Sequence, residues 1–556
     1  MLQLLSFNPG VNNRFDSTLV NYSVNIGNGL LDADLKQLAL FVQDTWRLTP
    51  RLTLTAGFRW EGYVNPKPDT SNSTLYNQVK NFAFPIGLTN DPANLPNNYD
   101  QYMPRIGLAW DPAGNAKTVI RANAGFFYAP TPLIVLAAPL NNYRAIPGDL
   151  SVTLPLALPK GFVCTPQYTG DKCNTIYSQL LRIGVDLNQA PLSNLPKISP
   201  AQITQIATAL GLANPNPFAG SAPISASNDY KSPRAWQWSV GIEREVAKGL
   251  TLGADFNYVN TVHLERDRNL NLPAPVTCPA LSAVCTKVDL SLRPCFGIRS
   301  GAACTQQRPI PTLGDVTIRQ TNARSRFDGL TLRSNYRRGR VQFQAYYTLS
   351  YNYSDDDNER LASGFDYDNS FNLGPEYGFS RLDARHNAQV NGLIDLPLGF
   401  TVSSLGRFRS GRPIDALVGF SDINGDNNSF GDRAFQAPGV PFQRNSFRDR
   451  RQLNVDLRVA KRFRLPWEGK SVSLTADFFN LFNAANIVYQ SGTPSPFQTT
   501  TNYGLGVDAA GNVLAPALAF RQLTDPSFCS KNSGCYNTFN SPGSPFTAQF
   551  GLRFAF

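Results

Sequence analysis

The chain has 556 residues, enough for several soluble domains or for one large barrel. Only 16% of them are charged, against about 25% in ordinary soluble proteins, while aromatics reach 11% with 36 Phe and 21 Tyr. No run approaches the roughly 20 apolar residues of a membrane-spanning helix, which excludes helical spans and leaves a barrel open. The net charge of +11 does not signal nucleic acid: the 51 Lys and Arg are scattered, apart from RNSFRDRRQ at 444–452, and a nucleic-acid groove needs a continuous patch.

In chain order, residues 1–35 carry no strand pattern, and the opening MLQLLSFNPG has no basic start, apolar core or cleavage site. The expectation is an incomplete N-terminal loop segment over 1–35, followed by a barrel over 36–556. Period-two alternation then begins. In LTLTAGFRWE at 52–61, Leu52, Leu54, Ala56, Phe58 and Trp60 face one way and Thr53, Thr55, Gly57, Arg59 and Glu61 the other. Ten residues match the 9–11 of a tilted strand crossing a bilayer. The pattern recurs at 250–258 and 341–351, and again at the C-terminus, where Phe546, Ala548, Phe550, Leu552, Phe554 and Phe556 oppose Thr547, Gln549, Gly551, Arg553 and Ala555.

About 13 such strands are predicted, near 36–47, 52–61, 102–110, 118–128, 235–245, 250–259, 328–336, 341–353, 384–396, 400–409, 451–463, 471–482 and 546–556. Short turns at 48–51, 111–117, 246–249, 337–340, 397–399 and 464–470 alternate without exception with long segments at 62–101, 129–234, 260–327, 354–383, 410–450 and 483–545. This is the asymmetry of an all-β, antiparallel, up-and-down outer-membrane barrel, with short periplasmic turns and long outer loops. A soluble sandwich also alternates, but needs no such rhythm. Nor does it call for Trp and Tyr at strand ends, where Trp46, Trp60, Trp110, Tyr128, Trp236 and Tyr258 match interfacial belts.

All eight cysteines (Cys164, Cys173, Cys278, Cys285, Cys295, Cys304, Cys529, Cys535) fall in long segments, each with another within about ten residues. They read as disulfides bracing outer loops in an oxidising compartment. With two histidines and no paired CxxC spacing, zinc is not indicated. In 129–234, Ile203, Ile206 and Leu210 ahead of Gly211 have helical spacing.

Catalysis needs convergent groups, and none is visible: no GxSxG elbow, no P-loop, and His263 and His386 stand apart as rim residues. The chain is therefore not read as an enzyme, and no cofactor is expected apart from calcium. For calcium, Asp422, Asn424 and Asp426, continued by Asn428 and Asp432, place oxygens at alternate positions. The loop lacks the twelfth-position Glu, where Arg433 stands, so a plain hydrophilic loop is the preferred reading and calcium the alternative. On the inward faces, Arg59, Glu61, Arg121, Asp255, Arg407, Asp456 and Arg458 are expected to line the lumen, either meeting a plug or ligand or pairing within the wall.

Several strand phrases resemble the barrel of TonB-dependent outer-membrane receptors, particularly the Oar-like group. They are FVQDTWRLTPRLTLTAGFRWE (41–61), PRIGLAWDPAGNAKTVIRANAGFFY (104–128), SPRAWQWSVGIEREVAKGLTLGADFNYV (232–259), SRLDARHNAQVNGLIDLPLGF (380–400), RFRSGRPID (407–415), and RRQLNVDLRVAKRF followed by LTADFFNLFNAANI (450–487). The resemblance implies a barrel of about 22 strands around an N-terminal plug, and a TonB box that lets the TonB protein act on the plug with inner-membrane energy. The ligand it implies is unidentified, with peptide or protein as the loose expectation for the Oar-like group. The predicted strands correspond to the last 13, and neither plug nor TonB box is recognisable. Phe556 resembles the C-terminal aromatic signal for the barrel assembly machinery. A surface-binding barrel without transport and a passive pore remain the alternative functions, and no nucleic-acid partner is expected.

Overall fold

The structure is a computed structural model that describes residues 21–26, 30–144, 150–155, 222–289, 291–299, 301–357, 367–415, 422–428, 432–433, 435–448, 451–466, 470–486 and 545–555. Thirteen strands follow one another in a single antiparallel path. They are β1 (Lys36–Thr49), β2 (Leu52–Val64), β3 (Asn98–Trp110), β4 (Thr118–Tyr128), β5 (Arg234–Ala247), β6 (Leu250–Asn269), β7 (Thr317–Arg338), β8 (Val341–Ser354), β9 (His386–Leu396), β10 (Phe400–Arg409), β11 (Gln452–Arg464), β12 (Ser471–Phe479) and β13 (Thr547–Ala555). Each pairs only with its sequence neighbours along this path, as in an up-and-down barrel wall, and the sheet does not close on itself. Two short strands attach at the outer end: Ile224–Ala226 runs parallel to the start of β7, and Gly378–Phe379 pairs with the end of β8. Outside the sheet, Asn21–Ile26 pairs with Leu150–Pro155.

The register carries the alternation across every seam, because residues directly opposite each other in an antiparallel pair share a face. Trp60, Phe58 and Leu54 stand opposite Tyr102, Pro104 and Leu108, and Val240 lies between Ala122 and Phe256. Farther along, Val459 lies between Val402 and Ala476, and Leu474 faces Leu552. These rows are exposed rather than packed under a second layer: Val240 is 48% accessible, Leu474 46% and Phe550 77%. An apolar face this continuous and open is what lipid requires of a barrel wall.

The aromatic residues fall at two levels of that face. Trp46 and Trp110 lie beside the first turns, opposite Leu54 and Leu52, whereas Trp60 and Tyr102 face each other at the far end. Eight residues separate the Leu52 and Trp60 rungs, about 26 Å along a strand, close to the ~25 Å apolar band of such walls. The tight turns form where the backbone must turn left-handed. At Gly249 (φ 79°), an added Cβ would lie 2.5 Å from the Arg337 carbonyl oxygen, so only glycine fits.

Two expectations about boundaries need correction. Strands predicted to end at 259 and begin at 328 continue, so that β6 has 20 residues and β7 has 22, paired out to Asn269 opposite Thr317. The segment 260–327 is thus a loop only in its middle. The extension escaped the alternation rule because its residues (NTVHLERDRN in β6) do not face lipid on one side and water on the other. His263 therefore does not follow a strand end. It sits inside β6 with φ 61°, at a register shift against β7, and its Nδ1 lies 3.2 Å from the Thr321 carbonyl oxygen. A bulge there bends the ribbon at the rim. His386 opens β9 as expected and meets the Tyr347 hydroxyl at 2.8 Å.

The two faces should respond differently to charge. Val240→Arg is expected to destabilise the folded wall in lipid by about 2–4 kcal/mol, and Ser239→Arg, on the polar face one residue away, by less than about 1 kcal/mol. Guanidinium unfolding in liposomes measures both; equal effects would contradict the assigned faces.

Candidate functional site

The polar face places the predicted lumen residues on one surface. Arg59 pairs with Glu61, which also accepts the Tyr63 hydroxyl at 2.7 Å and the Gln37 amide at 3.4 Å. Asp255 lies 2.6 Å from Arg333, which also lies 3.7 Å from Glu243. Gly241, opposite Asp255, makes this possible, since a Cβ there would come 2.2 Å from the Asp255 Oδ1. Asp456 accepts the Asn454 amide at 3.0 and 3.1 Å and the Asn480 backbone N–H at 2.9 Å, and Arg458 pairs with Asp477. Most of the predicted charges are thus held within the wall. Arg121 and Arg407 differ: among the described residues, neither has a carboxylate within ion-pair distance. The sequence reading missed Glu243, Arg333 and Asp477, the partners, although each falls on the inward phase of its strand.

Above the wall lies a feature the loops did not announce. The outer loops hold most of the buried side chains among the described residues. Helix α1 (Ser73–Val79), capped by Asn72 accepting the Leu75 N–H at 3.1 Å, contributes Leu75 and Val79. They pack with Phe84, Tyr143, Leu270, Ile310, Leu313, Val316 and Ile318. Leu136 and Leu140 of α2 (Leu133–Asn141) pack with Leu95, Ala226 and Tyr230. The extended β6–β7 ribbon supports both clusters, and its charges are buried with partners. Arg319 grips Asp267, directly opposite it, in a bidentate pair (2.7 and 2.8 Å). Arg266 lies 2.7 Å from Asp355. Asn271 satisfies three backbone carbonyls and one N–H of 310–314, so one buried amide fastens that turn.

The cysteines in the described residues form two local bridges, Cys278–Cys285 and Cys295–Cys304. Cys164, Cys173, Cys529 and Cys535 lie outside the described residues, as do Phe556 and the helical pattern at 203–210. Beside the bridges sits a second, strongly charged centre. Arg433 is buried against Glu376 (2.6 Å) and Asp415 (3.4 Å), and Arg293 lies between Asp289 and Asp368 at 4.0 and 3.9 Å, over the Phe435 ring. Burial lifts the carboxyls of Glu376 and Asp368 above the ordinary range, outweighing the guanidinium groups beside them. The predicted ligand-type residues Asp422, Asn424 and Asp426 come together here with Asp432. Burial raises Asp426 and Asp432 as well, reinforced by neighbouring carboxylates: Asp432 for the former, Asp368 and Asp422 for the latter.

An amphipathic antiparallel wall, polar inside and apolar toward lipid, beneath a folded outer cap, defines an outer-membrane barrel protein. The family comparison agrees: residues 6–441 match the model of the outer membrane beta barrel domain, and the chain belongs to that family. Its place is the outer membrane of a Gram-negative bacterium. Comparison with curated proteins returns no match. Among solved structures, the chain is similar to the outer membrane transporter YddB from Escherichia coli (11% identity, TM-score 0.44, covering 83% of this chain and 43% of that one). It is also similar to the FrpB iron transporter from Neisseria meningitidis (10%, 0.37, 85% and 44%) and to a mutant of the ferric enterobactin receptor PfeA from Pseudomonas aeruginosa (10%, 0.41, 94% and 45%). The chain spans less than half the length of these structures.

The cap should behave as a separable layer. Arg319→Met strands the buried Asp267 and is expected to cost the cap about 3–5 kcal/mol. Hydrogen exchange should show lost protection at 264–270 and 316–320 with the β10–β12 wall unchanged, and Asp267→Leu in addition should restore protection. Uniform loss through the wall would contradict a separate layer.

Proposed function

We propose that this chain is the C-terminal barrel portion of a TonB-dependent receptor of the Oar-like group. In this reading the outer cap binds a ligand, a peptide or protein, and a plugged lumen admits it with energy transmitted by TonB. The observation that carries the reading is the order of the strand phrases, from FVQDTWRLTPRLTLTAGFRWE to LTADFFNLFNAANI, along consecutive hairpins.

The topology supports it. With thirteen antiparallel strands, β1 and β13 run in the same direction, from the outer side toward the periplasm. An antiparallel wall closes only when an odd number of further strands lies between those edges, and about nine, as in a 22-strand barrel, satisfies this. A second copy does not, because its β1 would meet β13 in parallel. Arg121 and Arg407 give the lumen charges for a plug to engage.

The deciding experiment uses cells expressing the full gene product and a defined tryptic peptide pool as the probe, with depletion from the medium followed by mass spectrometry. Uptake of a subset of peptides that stops when a protonophore collapses the inner-membrane potential is the expected result. Uptake unaffected by the protonophore would make the barrel a passive pore, and surface retention without uptake a binding protein.

A further inference from the structure

The lipid-facing surface changes character at the end that carries the cap. Across neighbouring strands, Val240, Phe256, Leu330 and Leu349 form one transverse row of the apolar face. One rung farther out stand Trp238, Tyr258, Asp328 and Tyr351, and beyond them Trp236, Asn260, Arg326 and Tyr353. The last rung holds Arg234, Val262 and Arg324. Aliphatic, aromatic and cationic side chains thus follow one another in the order of hydrocarbon, interface and headgroup. An aromatic belt anchors a wall by itself, so the arginines above it call for a separate cause.

These arginines are presented to the outside and oriented. The side chains of Arg324 and Arg326 are 61% and 51% exposed. Arg234 lies 5.5 Å from the Phe126 ring centroid, Arg326 5.6 Å from that of Tyr258 and Arg324 4.5 Å from that of Tyr377. A ring beneath the guanidinium plane holds it in place and leaves its N–H edge to bind. Carboxylates are too few to neutralise the group. Arg326 has Asp328 at 2.9 Å, but Asp355, 3.9 Å from Arg324, is already taken by the buried Arg266 at 2.7 Å. Arg234 has no carboxylate within ion-pair distance among the described residues. At the adjoining rim Arg385, 3.8 Å from the Tyr351 centroid, shares the buried Asp383 with Arg448. Six guanidinium groups therefore meet three carboxylates, and the nearby Asp100 is matched by Lys231 at 3.6 Å.

The geometry points to a site on the outer rim of β5–β7 for the phosphate of an outer-leaflet glycolipid, held by Arg234 and Arg324. Both stand opposite Val262, one on either side, so they lie two strand spacings apart, about 10 Å, with only a valine between them. Two long arms reach one phosphate across that gap, and each fork offers it parallel N–H donors. The occupant is a lipid because both arginines lie on the lipid-facing phase of their strands, in line with the aromatic and aliphatic rows on which its acyl chains would rest. A free anion would leave those rows unused. The outer leaflet of a Gram-negative outer membrane supplies a glucosamine lipid that carries phosphates at this level. The site rests on the orientation of the wall and is independent of the transport reading.

The test uses the full gene product folded in detergent, with diphosphoryl lipid A as the probe and binding followed by native mass spectrometry. The lipid is expected to stay bound, and the same lipid stripped of its phosphates to bind about thirtyfold more weakly. Arg234→Gln with Arg324→Gln should cause a similar loss, and it strands no carboxylate, since Asp355 keeps Arg266. Arg244→Gln, on the same face at the periplasmic end opposite Leu252, should change affinity by less than about twofold. Equal binding of the dephosphorylated lipid would overturn the site, as would full affinity in a folded double variant or an equal loss in Arg244→Gln. Complete displacement by excess inorganic phosphate would overturn the lipid as its occupant. Should the double variant not fold, Arg324→Gln alone decides: a loss of about fivefold supports the site, and unchanged affinity refutes it.

Discussion

Hydrocarbon offers no hydrogen-bond partner to a peptide group, so each N–H and C=O that enters it must find one in the chain. The thirteen-strand path follows from this constraint. Neighbouring strands satisfy one another, the turns on one side stay short, and apolar side chains occupy the face toward lipid because nothing else is stable there. Polar side chains are then confined to the other face, where they pair along the wall (Arg59 with Glu61, Arg333 with Asp255, Arg458 with Asp477). The same requirement makes the edges at β1 and β13 the most demanding part of the structure, since among the described residues no strand pairs with their outer sides.

Outside the membrane the constraint disappears, and the protein uses different means. The cap is built as a soluble domain is, from a close-packed apolar cluster around Leu75, Val79, Leu270 and Val316, ion pairs removed from solvent and two short-range disulfides. Its foundation is the β6–β7 ribbon, which continues about 36 Å beyond Tyr258 at roughly 3.3 Å per residue. One pair of strands is thus lipid-facing at one end and fully buried at the other. The bulge at His263 marks the change.

That division explains what could be read from the sequence. Where a strand has lipid on one side and water on the other, alternation is forced, and LTLTAGFRWE, TLGADFNYV and QFQAYYTLSY disclose both strand and face. Where both sides are covered by protein, as in HLERDRN and TIRQTNAR, the chain alternates no longer, and the ribbon resembles a loop. The inward charges could be placed by counting in twos, but their partners could not be assigned without the register, which is why Arg333 and Asp477 were missed. Asp432 was visible as an acidic residue, but its acceptance of the Ile423 and Asn424 N–H groups depends on a chain path that no local pattern records.

The cap also has an order of assembly written into its connectivity. Its core joins residues from 75 to 143, 226 to 230 and 270 to 318, stretches that belong to separate hairpins of the wall. The two disulfides close loops of seven and nine residues and need nothing distant. Contacts between remote stretches form slowly, because loop closure must precede them. The cap can therefore consolidate only after the hairpins that carry it have been inserted side by side, so the outermost layer is completed last, on the far side of the membrane from where the chain was made.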